Sequence, residues 1–166
     1  MPTMQARAAA VEDAASIAAI YNQGIADRVA TFETRLRSAD DIRAWLDGRH
    51  PVVVVAVDGE VVAFAATSTY RPRDCYAGIA EFSVYVARSA RGRGAGRCAM
   101  EALLIAAEQA GFWKLVSRVF VENIASRRLL SSLGFREVGT YEKHAQLDGV
   151  WHDVAIVERL LPGNLS

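Results

Sequence analysis

Short β-branched runs and helical stretches follow one another along the chain. Val52 to Val57 and Val61 to Ser68 are two such runs, joined by Asp58-Gly59, a pair that favours a two-residue hairpin turn. Ile79 to Ala87 and Leu115 to Val121 read as further strands. Val138 to Leu147 and Val150 to Leu161 flank Asp148-Gly149 as a closing hairpin, and Gln5 to Ala8 makes a short first strand. Ala14, Ile17, Ala18 and Tyr21 recur at three- and four-residue spacing, which predicts a helix from about Val11 to Ile25. Ser38 caps a second helix running toward Gly48, with Asp40 and Asp41 in its first turn. A third spans about Gly94 to Ala110 and stops at Gly111; Asn123 caps a short fourth that ends at Gly134. This order predicts a mixed α/β sheet with helices packed on it, not a regularly alternating doubly wound sheet.

Composition narrows the class. At 166 residues the chain suits one domain over its whole length, residues 1–166. Hydrophobic residues at 52% and charged ones at 23% match a water-soluble globular protein. The longest apolar stretch, Val52 to Val57, is far too short to cross a bilayer. Met-Pro-Thr-Met-Gln at the start shows no export pattern, so a reducing cytoplasm is the expected location. Cys75 and Cys98 have neither metal-ligand nor disulfide-framework spacing, and no metal is expected. Lys plus Arg equals Asp plus Glu at 19 each, which argues against nucleic acid as a partner. The positive charge is nonetheless local: Arg88, Arg91, Arg93 and Arg97 fall close together.

That cluster coincides with the most informative segment, Arg91-Gly92-Arg93-Gly94-Ala95-Gly96, between a strand and a helix. Glycines let successive N–H groups turn inward, and the helix N-terminus adds partial positive charge. Arg91, Arg93 and Arg97 stand where helices ordinarily prefer acids, an arrangement suited to a bound anion such as a pyrophosphate. A dinucleotide fingerprint beginning at Gly92 would need Gly or Ala in place of Arg97, and the Gly-Lys-Ser/Thr of a P-loop is absent. A glycine-rich turn with solvated arginines is the competing reading.

Arg91 to Gly96 resembles the R-x-x-G-x-G/A pyrophosphate loop of the GNAT acetyltransferase superfamily. It follows Glu81-Phe82-Ser83-Val84-Tyr85-Val86 and precedes Asn123-Ile124-Ala125-Ser126 and Leu133-Gly134-Phe135 in that superfamily's order. Tyr21-Asn22, Thr31-Phe32-Glu33-Thr34, Arg71-Pro72-Arg73-Asp74-Cys75-Tyr76 and Trp151-His152-Asp153-Val154 are similar to the branch of phosphinothricin and arsinothricin N-acetyltransferases. The likeness runs from about residue 5 to residue 161. It implies a mostly antiparallel central sheet flanked by helices, acetyl-CoA as cosubstrate, a small amine as acceptor, and a homodimer with its sites near the subunit contact. It further implies cofactor contacts from Val84, Tyr85, Val86, Arg91, Gly92, Arg93, Gly94, Ala95, Gly96, Arg97, Asn123 and Ser126. Phe32, Arg73, Tyr76 and His152 are implied on the substrate side.

The residues can be weighed by their own chemistry too. A protonated amine must lose a proton before attacking a thioester. Glu81 lies in an otherwise apolar strand and shares a face with Ile79, Ser83 and Tyr85, so burial would raise it toward the working range of a general base. A glutamate facing water at a sheet edge is the alternative; the resemblance assigns the base to this position. Backbone N–H groups of the same strand would serve an oxyanion if the strand splays from its neighbour at a bulge. That opening would also let the pantetheine arm pair with the strand. The helix cap alone explains Asn123, whose ligand role rests on the resemblance, and His152 reads first as structural, with a site-lining role as the alternative. An arginine beside a proline, as Arg73 is, is more often a surface charge. Many GNAT enzymes place a tyrosine four residues before the Gly-Phe pair, to protonate the thiolate, where this chain has Leu130. Tyr85 and water both stand open for that role. Acetylation of peptide N-termini and a non-catalytic acyl-CoA sensor are the other functions in play, with Glu81 counting against the sensor.

Overall fold

The computed structural model describes residues 3–166. Met1 and Pro2, the start of the stretch that shows no export pattern, lie outside the described residues. Among the described residues seven strands form one sheet: β1 (Met4–Ala8), β2 (Val52–Val57), β3 (Glu60–Thr69), β4 (Ile79–Val86), β5 (Lys114–Phe120), β6 (Arg136–Leu147) and β7 (Val150–Leu160). They lie in the order β1-β2-β3-β4-β5-β7-β6. Neighbours run antiparallel except β4 and β5, which are parallel. No helix among these residues is long and apolar enough to cross a membrane.

Among the described residues four α-helices cover the sheet: α1 (Ala14–Asp27), α2 (Ala39–Arg43), α3 (Ala95–Gln109) and α4 (Ile124–Ser132). One face packs Val53, Val55, Ala63, Ala65, Ala80 and Phe82 against Ala99, Met100 and Leu103 of α3 and Leu130 of α4. The opposite face packs Val52, Val54, Phe64 and Ala66 against Ile17 and Ile20 of α1 and Ile42 of α2. Because β2 is covered on both sides, its valines run on without polar alternation. Its turn to β3 holds Asp58 and Gly59 at φ 52° and 81°, the two-residue hairpin geometry. The outermost strand β6 is exposed along most of its length.

Two helices depart from the spacing rule, each for a local reason. The first opens with a 3-10 turn at Val11–Asp13, because the Asp13 carboxylate accepts the Ala10 N–H (2.7 Å) and is held by both terminal nitrogens of Arg7 (2.6 and 2.9 Å). Ser38 caps α2 in a reciprocal box with Asp41, but the helix ends after five residues. Trp45 and Leu46 donate to carbonyls only three residues back, and Asp47 then takes the N–H groups of Arg49 and His50 (2.8 Å each). A side chain that captures backbone donors in this way ends a helix.

The same contacts predict an acid dependence. The His50 N–H, foremost, then the His50 ring and the Arg49 N–H, hold the Asp47 carboxyl down at about 2. A depressed carboxyl stabilises the fold above its unfolded value of about 3.9 and loses that contribution as pH falls through its folded value. Asp47→Asn is therefore expected to lower the urea midpoint at pH 6, with the gap to the parent closing between about pH 4 and 2. A gap of equal size at pH 2 would mean that charge is not its origin.

Candidate active site

Strands β4 and β5 pair at only three positions, Ile79 with Lys114, Ala80 with Leu115 and Glu81 with Val116. Beyond Glu81 they part, while β4 stays paired to β3 as far as Val86. Neither register shifts, so the fork forms without the bulge that the sequence suggested. Inside it the Ser117 hydroxyl donates to the Phe82 carbonyl (2.8 Å). A small cavity of about 50 Å³ between Phe82–Tyr85 and Ser117–Val119 opens toward Asn123, Ser126 and Leu130.

A larger cleft of about 480 Å³ continues from the fork to the glycine loop. Val84, Tyr85, Val86, Arg91, Gly92, Gly94, Gly96, Arg97, Asn123 and Ser126 all line it. Ala95 does not; its side chain is buried in the core beneath α3. Arg93 is exposed outside the cleft. Gly24, Val29 and Ala30, from α1 and the turn after it, line it too, as do Ala125 and Leu129 of α4. No local sequence signal marked Gly24, Val29, Ala30 or Leu129. Asn123 caps α4, its side-chain oxygen accepting the Ser126 N–H at 3.3 Å, and lines the cleft as well.

Gly94, the residue before α3, sits at φ 87°, and Gly92 at φ 78°. Those left-handed turns aim the loop so that α3 begins at the cleft, where its first N–H groups have no intrahelical acceptor. Arg91 is anchored rather than free. Asp27, the last residue of α1, bridges Arg91 Nη2 (2.8 Å) and Arg88 Nη2 (2.7 Å). A carboxylate at a helix C-terminus is ordinarily disfavoured. Here the hydrogen bonds from Arg88 and then Arg91 hold it below the usual carboxylate range.

Tyr85 stacks on Tyr21 (5.1 Å, 14°) and Phe64 (5.5 Å, 25°), and burial pushes its phenol above the ordinary tyrosine value. Gly24 makes room for that ring: a Cβ there would lie 2.6 Å from Tyr85 Cε1. Gly24→Ala should thus destabilise the protein by about 1–3 kcal/mol, the usual range for overpacking. Urea denaturation checks it, and unchanged stability would show the ring to be free to move.

Glu81 is half-buried on the face covered by α1 and α2, beside Ser68 of β3 and Val116 of β5. Among the described residues no side chain hydrogen-bonds or pairs with its carboxylate. Further along that face Phe32 packs on Phe120 (4.8 Å), and His152 stacks on Phe120 (4.6 Å, 19°) while its Nδ1 meets Glu122. Phe32, Phe120 and Val154 wall a cavity of about 260 Å³ that also touches Thr31, Arg118 and His144. Arg73 and Tyr76 line none of these cavities. Arg73 is exposed before a 3-10 turn, and Tyr76 packs edge-on against Tyr70 (5.7 Å). A further polar cavity of about 390 Å³ lies between Tyr21, Arg37, Trp45 and Ser83, with Arg37 tied to Glu33 (2.9 Å). Among the described residues no group of three His, Cys, Asp or Glu is placed to hold a metal ion.

Residues 17–135 match the family described as acetyltransferase (GNAT). The chain is 33% identical over 165 residues to a phosphinothricin N-acetyltransferase of Streptomyces coelicolor, covering 95% of this chain and 96% of that protein. It is 31% identical over 157 residues to an L-methionine sulfoximine/L-methionine sulfone acetyltransferase of Pseudomonas aeruginosa, covering 92% and 91%. Among solved structures, an acetyltransferase of Salmonella typhimurium with its cofactor acetyl-CoA superposes with a TM-score of 0.91 at 30% identity, over 95% of this chain and 94% of that one.

Proposed function

Since the chain belongs to the acetyltransferase (GNAT) family, in the branch with phosphinothricin and methionine sulfoximine acetyltransferases, we propose that it moves acetyl from acetyl-CoA to the α-amine of a small amino acid or analogue, with Glu81 as the base. The observation that carries this reading is the fork at Glu81. The carboxylate stands where β4 leaves β5, one residue before the small cavity in the fork begins at Phe82, and that cavity shares Val84, Tyr85, Asn123 and Ser126 with the cleft from the glycine loop. The loop and the first turn of α3 hold the pyrophosphate of the cosubstrate through backbone N–H groups and nearby arginines. The unpaired edge of β4 beyond Glu81 takes the pantetheine arm as a substitute strand. Its outward N–H groups donate to the carbonyl oxygen as negative charge develops there.

Glu81 accepts a proton from the acceptor's ammonium, directly or through one water. The freed amine nitrogen bonds to the thioester carbon, and as the tetrahedral adduct collapses the carbon–sulfur bond breaks and the nitrogen gives up its second proton to solvent, leaving the neutral amide. Leu130, where related enzymes hold a tyrosine, carries no proton to give. Tyr85 lines the cleft but holds its proton more tightly than a free phenol; the thiolate, whose conjugate acid has a pKa of about 8.5, leaves unprotonated and equilibrates with protons from solvent afterwards. Phe32 lines the acceptor side, with His152 stacked behind it on Phe120. Phosphinothricin, arsinothricin and methionine sulfoximine share the glutamate-like stem this space suits.

Following free thiol release with these amino acids, and with a short peptide bearing a free N-terminus, tests the reading. Faster release with the amino acids is expected. A faster peptide would turn the assignment to protein N-termini, and acetyl-CoA binding without any release would turn it to a sensor.

A further inference from the structure

Arg73, the arginine in the loop after β3, lines none of the cavities. Arg118 does. It sits on β5 two residues beyond Val116, the partner of Glu81, so the two side chains project from the same face of the sheet. At about 3.3 Å rise per residue, its Cα lies about 7 Å along the strand from the position beside Glu81. Arg118 lines both the fork between β4 and β5 and the aromatic-walled cavity of Phe32, Phe120 and Val154. It is exposed, and among the described residues its guanidinium has neither an acidic partner nor a hydrogen bond. Arg37, Arg88, Arg91 and Arg127, by contrast, are each tied to a carboxylate.

We infer that Arg118 is the specificity-determining cation of the acceptor site, selecting amino acids whose side chain ends in an anionic head such as a phosphinate or carboxylate. This rests on the reading above that the acceptor's amine sits by Glu81. With the amine there, a stem of a few methylenes lies along β5 past Val116 and delivers its head to Arg118, at the near end of the cavity walled by Phe32 and Phe120. A guanidinium binds such a head through two parallel hydrogen bonds, which a neutral head of similar shape does not receive with the same strength. The other charged and titratable groups facing that space are His144, which lines the cavity, and the His152–Glu122 pair beside Phe120.

The test compares the specificity constants of the full chain, with acetyl-CoA, for phosphinothricin and for methionine sulfone, whose head is uncharged. Arg118→Gln is expected to lower the phosphinothricin-to-sulfone ratio about ten- to a hundredfold, mainly through KM for phosphinothricin. Arg118→Lys keeps the charge without the fork of donors and falls between, and Arg118→Glu lowers the ratio beyond Arg118→Gln. Circular dichroism checks that each variant folds; the exposed position predicts that all do. A ratio within threefold of the parent in Arg118→Gln, or one that collapses in Arg73→Gln instead, overturns this assignment while leaving the acceptor reading in place. A parent that releases no thiol with either amino acid overturns both.

Discussion

Glu81→Gln is expected to lower turnover near neutral pH by about 10²–10⁴-fold, with the affinity for acetyl-CoA nearly unchanged. The substitution preserves shape and removes only the capacity to accept a proton. The backbone around it is fixed, since Glu81 faces Ser68 on one side and Val116 on the other in unshifted register. No arginine or lysine pairs with the carboxylate among the described residues, so the loss of its charge leaves no buried cation behind. The effect corresponds to about 2.7–5.5 kcal/mol of transition-state stabilisation. It should shrink at alkaline pH, where more of the acceptor arrives already deprotonated. A pH–rate profile reads both features, and a variant within threefold of the parent at pH 7 would move the base elsewhere.

Gly94→Val should reduce acetyl-CoA binding at least a hundredfold while leaving the fold largely intact. The surroundings do not exclude a side chain, since a Cβ built at Gly94 meets nothing within 4 Å. The obstacle is the backbone, at φ 87° immediately before α3. A β-branched residue is strongly disfavoured there, by more than the roughly 1–2 kcal/mol that an ordinary L-residue loses. The loop would relax to another path and disperse the N–H groups that face the cleft. Gly96→Val should weaken binding by a different route. Its Cβ would touch Leu129 Cδ2 at 3.4 Å and Val86 Cγ2 at 3.5 Å, ordinary contacts that place added bulk inside the cleft. Calorimetry on the folded variants distinguishes these outcomes, and unchanged affinity for either would remove the anion-loop reading.

Local signals carried most of the fold. Continuous valines marked β2, the Asp58-Gly59 turn set its hairpin with β3, and Ser38 with its acidic first turn marked where α2 begins. What escaped was competition between side chain and backbone. Asp47 stops the chain from continuing as helix, and Asp13 tightens the entry to α1, through hydrogen bonds that residue type alone does not reveal. The glycine loop was legible because its chemistry is contiguous in sequence. The groups around it were not, because they join distant segments: Asp27 reaches Arg88 and Arg91 across more than sixty residues, and Gly24 matters only because Tyr85 folds against it. Arg118 lay unremarked in a strand read for its apolar neighbours. Only the sheet register brings it onto the same face as Glu81.

The fork has a consequence for how the molecule comes apart. Two blocks of sheet, β1–β4 and β5–β7–β6, meet through three parallel residue pairs and little other ladder bonding. Amide protons on the open edge of β4, those of Phe82, Val84 and Val86 that alternate with the ones turned to β3, should therefore exchange with solvent far faster than those of β2 and β3. A pantetheine arm that pairs with that edge would close the seam. Exchange there would slow on adding acetyl-CoA, and at one hundred times its dissociation constant the whole fold would gain about 2.7 kcal/mol. The seam between the two blocks then becomes the place where cosubstrate binding is converted into thermal resistance.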